Sequence, residues 1–385
     1  MAVANVTNVA IQCSTVVGFL YAAMAPNSEL LSYGITPGTG SPIAFGAPIA
    51  TGGTPTAVAS SPNGAFLYVG LEEAFPESNS ISIYAVNSAT GALTLSGSLA
   101  IPGLVPQNIA VSATGFLFVY SGVQPGPDES FSSYNLSTYA IDAPSGMLTP
   151  TGTTLTFNAT AATGFVTTPD GQWLYVLTGD FADASAPVTV TAYAVSRTTG
   201  ALTAGPVMTT TSLVVNSSVM AIDPLGRYLY LTGPYPAMSP LGTTVLPYAI
   251  NSGTGALTGI GSGTPVQTGY VQGLAAEPTG KYLYMTGVSP ALDAMAVGEG
   301  SGSVSSIETE SVTGTIASYI ICDPSGQFVY VAQSGTTGDE SWSDFLAFTI
   351  STTPGSEGLL MPSGGSAPID GPWGGTGAVS MAVVE

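Results

Sequence analysis

One short pattern, a tight turn running into an aromatic strand and then a second strand–turn–strand, returns seven times along this chain. No other feature limits its fold so strongly. The first half reads SPNGAFLYVG at 61–70, ATGFLFVY at 113–120, TPDGQWLYVLTG at 168–179, DPLGRYLYLTG at 223–233, EPTGKYLYMTG at 277–287 and DPSGQFVYVAQSG at 323–335. A degenerate first copy, VGFLYAA, stands at 17–23. The second half reads YAVNSATGALT at 84–94, YAIDAPSGMLT at 139–149, YAVSRTTGALT at 193–203 and YAINSGTGALT at 248–258, with weaker copies from Tyr33, near Met295 and at Phe348. A period of roughly 45–57 residues with about four strands is the signature of a propeller blade.

The fold class that follows is all-β: a seven-bladed β-propeller with four antiparallel strands per blade, its ring closed by a C-terminal strand. The 385 residues would otherwise suggest two or three domains, but the repeat runs nearly end to end. The expected division is an N-terminal arm or extra strand over 1–16 and one propeller over 17–385. Within a blade, strand a lies at the axis and strand d outermost. Small-residue runs such as Thr56–Ser60, Ser218–Ile222 and Ala317–Ile321 suit the crowded strand a. The FLYV-like run is strand b, read as half-buried. The glycine of T-G-A-L-T supplies the positive φ of the c–d hairpin. Asp170, Asp223, Glu277 and Asp323 stand in the a–b turns, where turn stabilisation explains them. Both 378–385 and 6–12 resemble a strand a, one more than the ring needs, and a spare strand offers an edge for self-association.

Charge excludes several partners. Three Lys+Arg, no His and 23 Asp+Glu give a net charge of −20. Nucleic acid and anionic membranes both require a basic face that is lacking here. No window approaches the ~18 apolar residues of a membrane span. A surface of Ser, Thr, Gly, Asn and Gln points to an extracellular or cell-surface protein. No signal sequence is visible, so either the chain is a mature form or its secretion uses another route. An acidic habitat fits as well, because carboxylates neutralise near pH ~4.

Cys13 and Cys322 each lie six residues ahead of the first aromatic of strand b, in the first and last copies. In a closed ring those copies are neighbours, and a disulfide across the seam is expected; two separate buried thiols are the alternative.

The joint occurrence of G-x-F/Y-L-Y-V and Y-A-V/I-x-x-x-T-G-A-L-T resembles the lactonase, or 6-phosphogluconolactonase-like, seven-bladed propellers with their YVTN-type repeat, over about 17–385. That resemblance implies hydrolysis of a sugar lactone in some members, with charged groups including His and Arg around the channel mouth. This chain departs from it. Histidine is absent, Arg227 and Lys281 take the turn slot held elsewhere by Gln172 and Gln327, and Arg197 takes that of Ser88. No Ser-His-Asp or His–metal constellation can form. Clustered cations for a sugar phosphate are missing too.

Variable loops on the b–c side are the expected binding face. Asp128, Glu129, Asp339, Glu340 and Asp344 are weak candidate ligands for Ca²⁺, the one cofactor considered. Phe75, Phe131, Tyr134, Tyr235 and Trp342 are candidate sugar-stacking aromatics. Solvated loops packing locally are the third reading. Sequons begin at Asn5, Asn135, Asn158 and Asn216. No catalytic residue and no required cofactor is singled out. The expected function is a non-catalytic extracellular module for binding and self-assembly, fibre formation included, with itself or a surface glycan or protein as partner. The alternative is a lactonase-like hydrolase of a sugar lactone that works with carboxylates only.

Overall fold

The computed structural model describes residues 17–25, 27–73, 79–124, 131–158, 162–179, 187–210, 219–234, 243–266, 271–287, 291–311, 316–337, 340–368 and 380–384. These form seven antiparallel sheets and no helix. The arm expected over 1–16, with Asn5 and Cys13, lies outside the described residues.

Six blades are built in chain order. Blade 2 runs Thr54–Ser60, Phe66–Glu72, Ser80–Val86 and Leu93–Ala100 for strands a to d. Blade 3 runs Leu104–Val111, Phe116–Val123, Ser133–Ile141 and Leu148–Asn158, and blade 4 runs Ala162–Thr167, Trp173–Thr178, Val188–Val195 and Leu202–Thr210. In blade 5, Val219–Ile222, Tyr228–Pro234 and Thr243–Ile250 are followed by a split strand d, Leu257–Gly259 and Thr264–Val266. Blade 6 consists of Val271–Ala276, Tyr282–Gly287, Ala291–Val297 and Val304–Ser311. Blade 7 consists of Ile316–Cys322, Phe328–Thr337, Glu340–Ile350 and Leu360–Pro368.

Blade 1 is composite. Phe19–Met24, Glu29–Ile35 and the split pair Pro42–Ala44 and Ile49–Ala50 are its strands b, c and d. Its strand a is Ser380–Val384, antiparallel to Phe19–Met24 with Phe19 opposite Val384. The strands Phe19–Met24 and Ser380–Val384 thus close the ring in one sheet, as the repeat count requires.

Strand b is more buried than its sequence suggests. Phe66 to Leu71 are buried without alternation, and so are Phe19 to Met24. The reason is that each blade is covered by neighbours on both faces. A strand with no solvent face carries an unbroken apolar run rather than a period of two. Strand d keeps the alternation, as in Leu93–Ala100, because its outer edge meets water.

The seams explain the T-G motif. The first aromatic of strand b packs on the c–d glycine of the following blade at all seven seams: Phe19 on Gly91, Phe66 on Gly146, Phe116 on Gly200, Trp173 on Gly255, Tyr228 on Gly302, Tyr282 on Gly358 and Phe328 on Gly40. Two residues on, a tyrosine hydroxyl donates to that glycine's carbonyl. Tyr21 reaches Gly91 at 2.7 Å, Tyr68 Gly146 at 3.2 Å, Tyr175 Gly255 at 3.0 Å, Tyr284 Gly358 at 3.0 Å and Tyr330 Gly40 at 3.0 Å. Burial pushes the Tyr68 hydroxyl up to about 12, so it stays a donor at neutral pH. Tyr175→Phe should leave a buried carbonyl short of its donor and cost about 1 kcal/mol, read from urea denaturation. A loss within error would show that the ring contact alone holds the seam.

Candidate functional site

The two faces of the ring differ in chemistry. On the a–b side, short acidic turns serve structure, as their sequence suggests. Asp323 accepts the backbone N–H groups of Gln327 at 2.9 Å and Phe328 at 2.6 Å, and Glu277 accepts that of Lys281 at 2.7 Å. Asp170 accepts Thr168 Oγ1 at 2.6 Å and Gln172 N at 3.0 Å. Asp223 is wholly buried and holds Arg227 in a two-point pair at 2.8 and 3.0 Å. Arg227 also reaches the Gly280 carbonyl, and Arg197 donates to the Asp170 carbonyl at 3.2 Å. All three cations therefore belong to turns of this face, Lys281 being exposed beside Glu277. The channel opens here into a cavity of about 520 Å³ lined by neutral groups such as Ser61, Asn63, Thr168, Pro169, Pro324 and Val384. Among the described residues no titratable side chain lines it.

The b–c end of the channel is different. In five blades strand a carries one extra residue against strand b, at the same step of the repeat. The extra residue is Thr56 in blade 2, Gln107 in blade 3, Thr163 in blade 4, Gln272 in blade 6 and Ser318 in blade 7. Such bulges re-aim a side chain and cluster beside active sites. Every one here is a neutral hydrogen-bonding residue on the innermost strand. Gln107 and Gln272 are exposed, and Thr56 donates to the Gly70 carbonyl at 3.2 Å. A ring of neutral donors and acceptors suits an uncharged, hydroxyl-rich ligand. Sequence reasoning missed these positions. A signal exists: a polar residue ten positions ahead of the first aromatic of strand b, or nine in blade 3.

Carboxylates lie on or beside strands b and c of blades 2, 6 and 7. Glu72 is exposed at the end of strand b in blade 2, opposite Thr54 of the inner strand. Glu73 accepts Ser80 Oγ at 2.6 Å, and its backbone N–H donates to Asn79. Asp293 is wholly buried and accepts Thr309 Oγ1 at 2.6 Å. In blade 7, Asp344 is half-buried, opposite Gln333 in register and bonded to its side chain. Burial raises the Asp344 carboxyl above the ordinary aspartate range, against the lowering by Gln333.

The other sequence candidates scatter. Asp128, Glu129, Asp339, Phe75, Tyr235 and Asn216 lie outside the described residues, and Glu340 and Trp342 are described only as main chain of blade 7 strand c. Among the described residues no group of three or more His, Cys, Asp or Glu is placed to hold a metal ion. Tyr134 stacks on Tyr120 with ring centres 5.1 Å apart, and Phe131 meets Tyr134 edge-on at 5.6 Å over Gly122. These aromatics pack on one another. Asn135 is half-buried in strand c of blade 3 and accepts Thr156 Oγ1 at 3.0 Å, while Asn158 is exposed at the end of strand d. Among the described residues Cys322 carries a free thiol, and its expected partner Cys13 lies outside them. The Cys322 side chain packs in the core between blades 6 and 7 with Ala275 and Tyr282, whereas the neighbouring Ile321 faces blade 1.

Comparison with known proteins adds the chemistry. Residues 39–165 match the family model described as a lactonase, 7-bladed beta-propeller. No curated protein matches the chain. In three dimensions it is similar to a candidate 6-phosphogluconolactonase from Bacteroides uniformis, with 16% identity, a TM-score of 0.71 and coverage of 95% of this chain and 99% of that one. It is also similar to a periplasmic gluconolactonase from Pseudomonas aeruginosa, with 19% identity, a TM-score of 0.68 and coverage of 96% and 99%. These likenesses extend the fold over the whole chain. The expectation of a non-catalytic module for binding and self-assembly is corrected by the lactonase match, which favours the hydrolase. That expectation weighed missing histidine and missing cations, but opening an uncharged lactone requires neither when a carboxylate serves as base. With its seven blades and its closing strand in agreement with these likenesses, the chain is a seven-bladed β-propeller whose residues 39–165 match the lactonase family model.

Proposed function

We propose that this protein hydrolyses a neutral sugar lactone at the b–c mouth of its channel, with a carboxylate as general base. The observation that carries this reading is the repeated bulge, which brings Thr56, Gln107 and Gln272 to one end of the inner strands. The lactonase match supports the reaction class. Hydrogen bonds to hydroxyls orient the sugar, and a base with a raised pKa takes the proton of the attacking water. A location outside the cytoplasm is part of this proposal, supported by the sparse surface charge and by the periplasmic relative of the same fold.

The test is base uptake at constant pH with gluconolactone and other uncharged lactones, corrected for spontaneous opening. Turnover that scales with protein concentration is expected, and its absence across a panel of sugar lactones would overturn the reading.

Substrate charge gives a sharper prediction. With all three cations on the opposite face and a net charge of −20, a phosphorylated lactone meets repulsion and no clustered donors. Its kcat/KM should fall at least ~10-fold below that of the neutral lactone and recover with added salt, which screens the field. The neutral substrate should show no such salt dependence. A phosphorylated lactone turned over as well as the neutral one at low salt would sink the assignment of substrate class.

A further inference from the structure

In a sevenfold repeat, a departure from the pattern at one seam is where function is to be sought. The last residue of strand b inside the seam and its partner on strand c form such a comparison. The pair is Met24 and Glu29 in blade 1, Leu71 and Ser80 in blade 2, and Thr178 and Thr189 in blade 4. In blade 7 it is Gln333 and Asp344. Gln333 has no solvent exposure, and its side chain bonds the Asp344 carboxylate. Asp344 Oδ1 is enclosed and has no hydrogen-bond partner among the described residues.

Across the same seam, blade 6 presents a second orphan. Thr286 is fully buried and its Oγ1 also lacks a partner among the described residues. The residue opposite it on strand a is Gly273, and a Cβ there would come within 3.0 Å of that hydroxyl. Next along the inner strand is Gln272, the exposed bulge residue of this blade. On this seam blade 6 thus places Gln272, Gly273 and Thr286, and blade 7 places Gln333 and a carboxylate with a spare oxygen, all toward the b–c end of their strands. Unsatisfied buried polar groups in a folded protein call for an occupant or a chemical role.

We propose that Asp344, presented by Gln333, is the base that takes a proton from the hydrolytic water. The assignment rests on the hydrolytic reading above. Water oxygen bonds to the lactone carbonyl carbon as its proton passes to Asp344. Collapse of the tetrahedral adduct breaks the bond to the ring oxygen, which takes that proton from Asp344. The product is the open hydroxy acid, and the carboxylate is regenerated. The charged groups of blade 6 that face this seam are Glu308 and Glu310 on its outer strand, with Glu277 in its a–b turn acting on Tyr284 and Cys322. Glu308 accepts the Leu360 N–H of blade 7 at 2.8 Å, and Glu310 is bonded to Glu308, so both are engaged with each other and the outer strands.

The experiment pairs three measurements on purified full-length protein, with gluconolactone as the probe. Asp344→Asn should lower kcat by ~100-fold or more with little change in KM, the scale of a lost general base. It should leave Tm unchanged or higher, because it removes an incompletely paired carboxylate. Gln333→Glu, nearly isosteric, should move the acid limb of kcat/KM upward by about half a pH unit or more, since a donor that favours the charged form is lost and a like charge is added. Asp344→Asn with wild-type kcat, or a Gln333→Glu limb that stays in place, overturns the assignment while the hydrolytic reading stands. A wild type that opens no lactone overturns both.

Discussion

Gly146→Ala should destabilise the protein by about 2–5 kcal/mol, whereas Gly103→Ala should cost only about 1–2 kcal/mol. Both glycines have a φ of +71°, so the left-handed backbone penalty is common to the two. What differs is the space around the added methyl. At Gly103 nothing lies within 4 Å, but at Gly146 a Cβ would sit 2.5 Å from the Phe66 ring of the preceding blade. That ring is held by its own buried strand and cannot retreat without opening the seam. The Gly146 carbonyl also accepts the Tyr68 hydroxyl, so a shift of the turn loses that bond as well. Urea denaturation of the two variants side by side checks the claim. Equal losses would mean that the glycine serves turn geometry alone and that the interlock between blades contributes nothing measurable.

Removal of residues 380–385 should have the largest effect of any change considered. The deletion strips blade 1 of its innermost strand, in which Met381, Ala382, Val383 and Val384 are all buried. At ~1.5–3 kcal/mol for each of the three larger side chains, the loss is about 5–9 kcal/mol, on the scale of a domain's whole stability. It also leaves the edge of Phe19–Met24 unpaired, an invitation to association with other chains. The expected result is loss of the cooperative thermal transition. A synthetic peptide of 378–385 added in trans should restore part of it, since the strand binds by backbone pairing to Phe19–Met24. A truncated protein melting at the wild-type temperature would show that the ring does not depend on its C-terminal closure.

Much of this architecture was legible before any coordinates. Seven copies of one motif give seven blades, because each unit has apolar faces that only a neighbour can cover. The closing strand was legible for the same reason, as the first copy begins at strand b and wants a strand a. The acids of the a–b turns were read correctly because their hydrogen bonds are local. Asp223 and Asp323 meet partners within five residues.

The features that stayed hidden all depend on what arrives from another blade. The side chain of Cys322 packs in the core between blades 6 and 7, with Ala275 and Tyr282. The T-G glycine was legible as a turn residue, but the aromatic that fills its missing side chain comes from the preceding repeat. Asp344 drew notice as one acid among several in a variable loop. Its distinction lies in Gln333 and in an oxygen left without a partner.

From its amino-acid order alone this chain was bound to be a ring of seven sheets, because periodic apolar runs and turn residues act over a few neighbours and repeat. Tertiary structure decided where an extra inner-strand residue bulges toward the channel, and which acid is half-buried beside an amide. Those properties arise from packing between segments far apart in the chain, where burial sets the protonation of a carboxylate and a register slip sets the aim of a side chain.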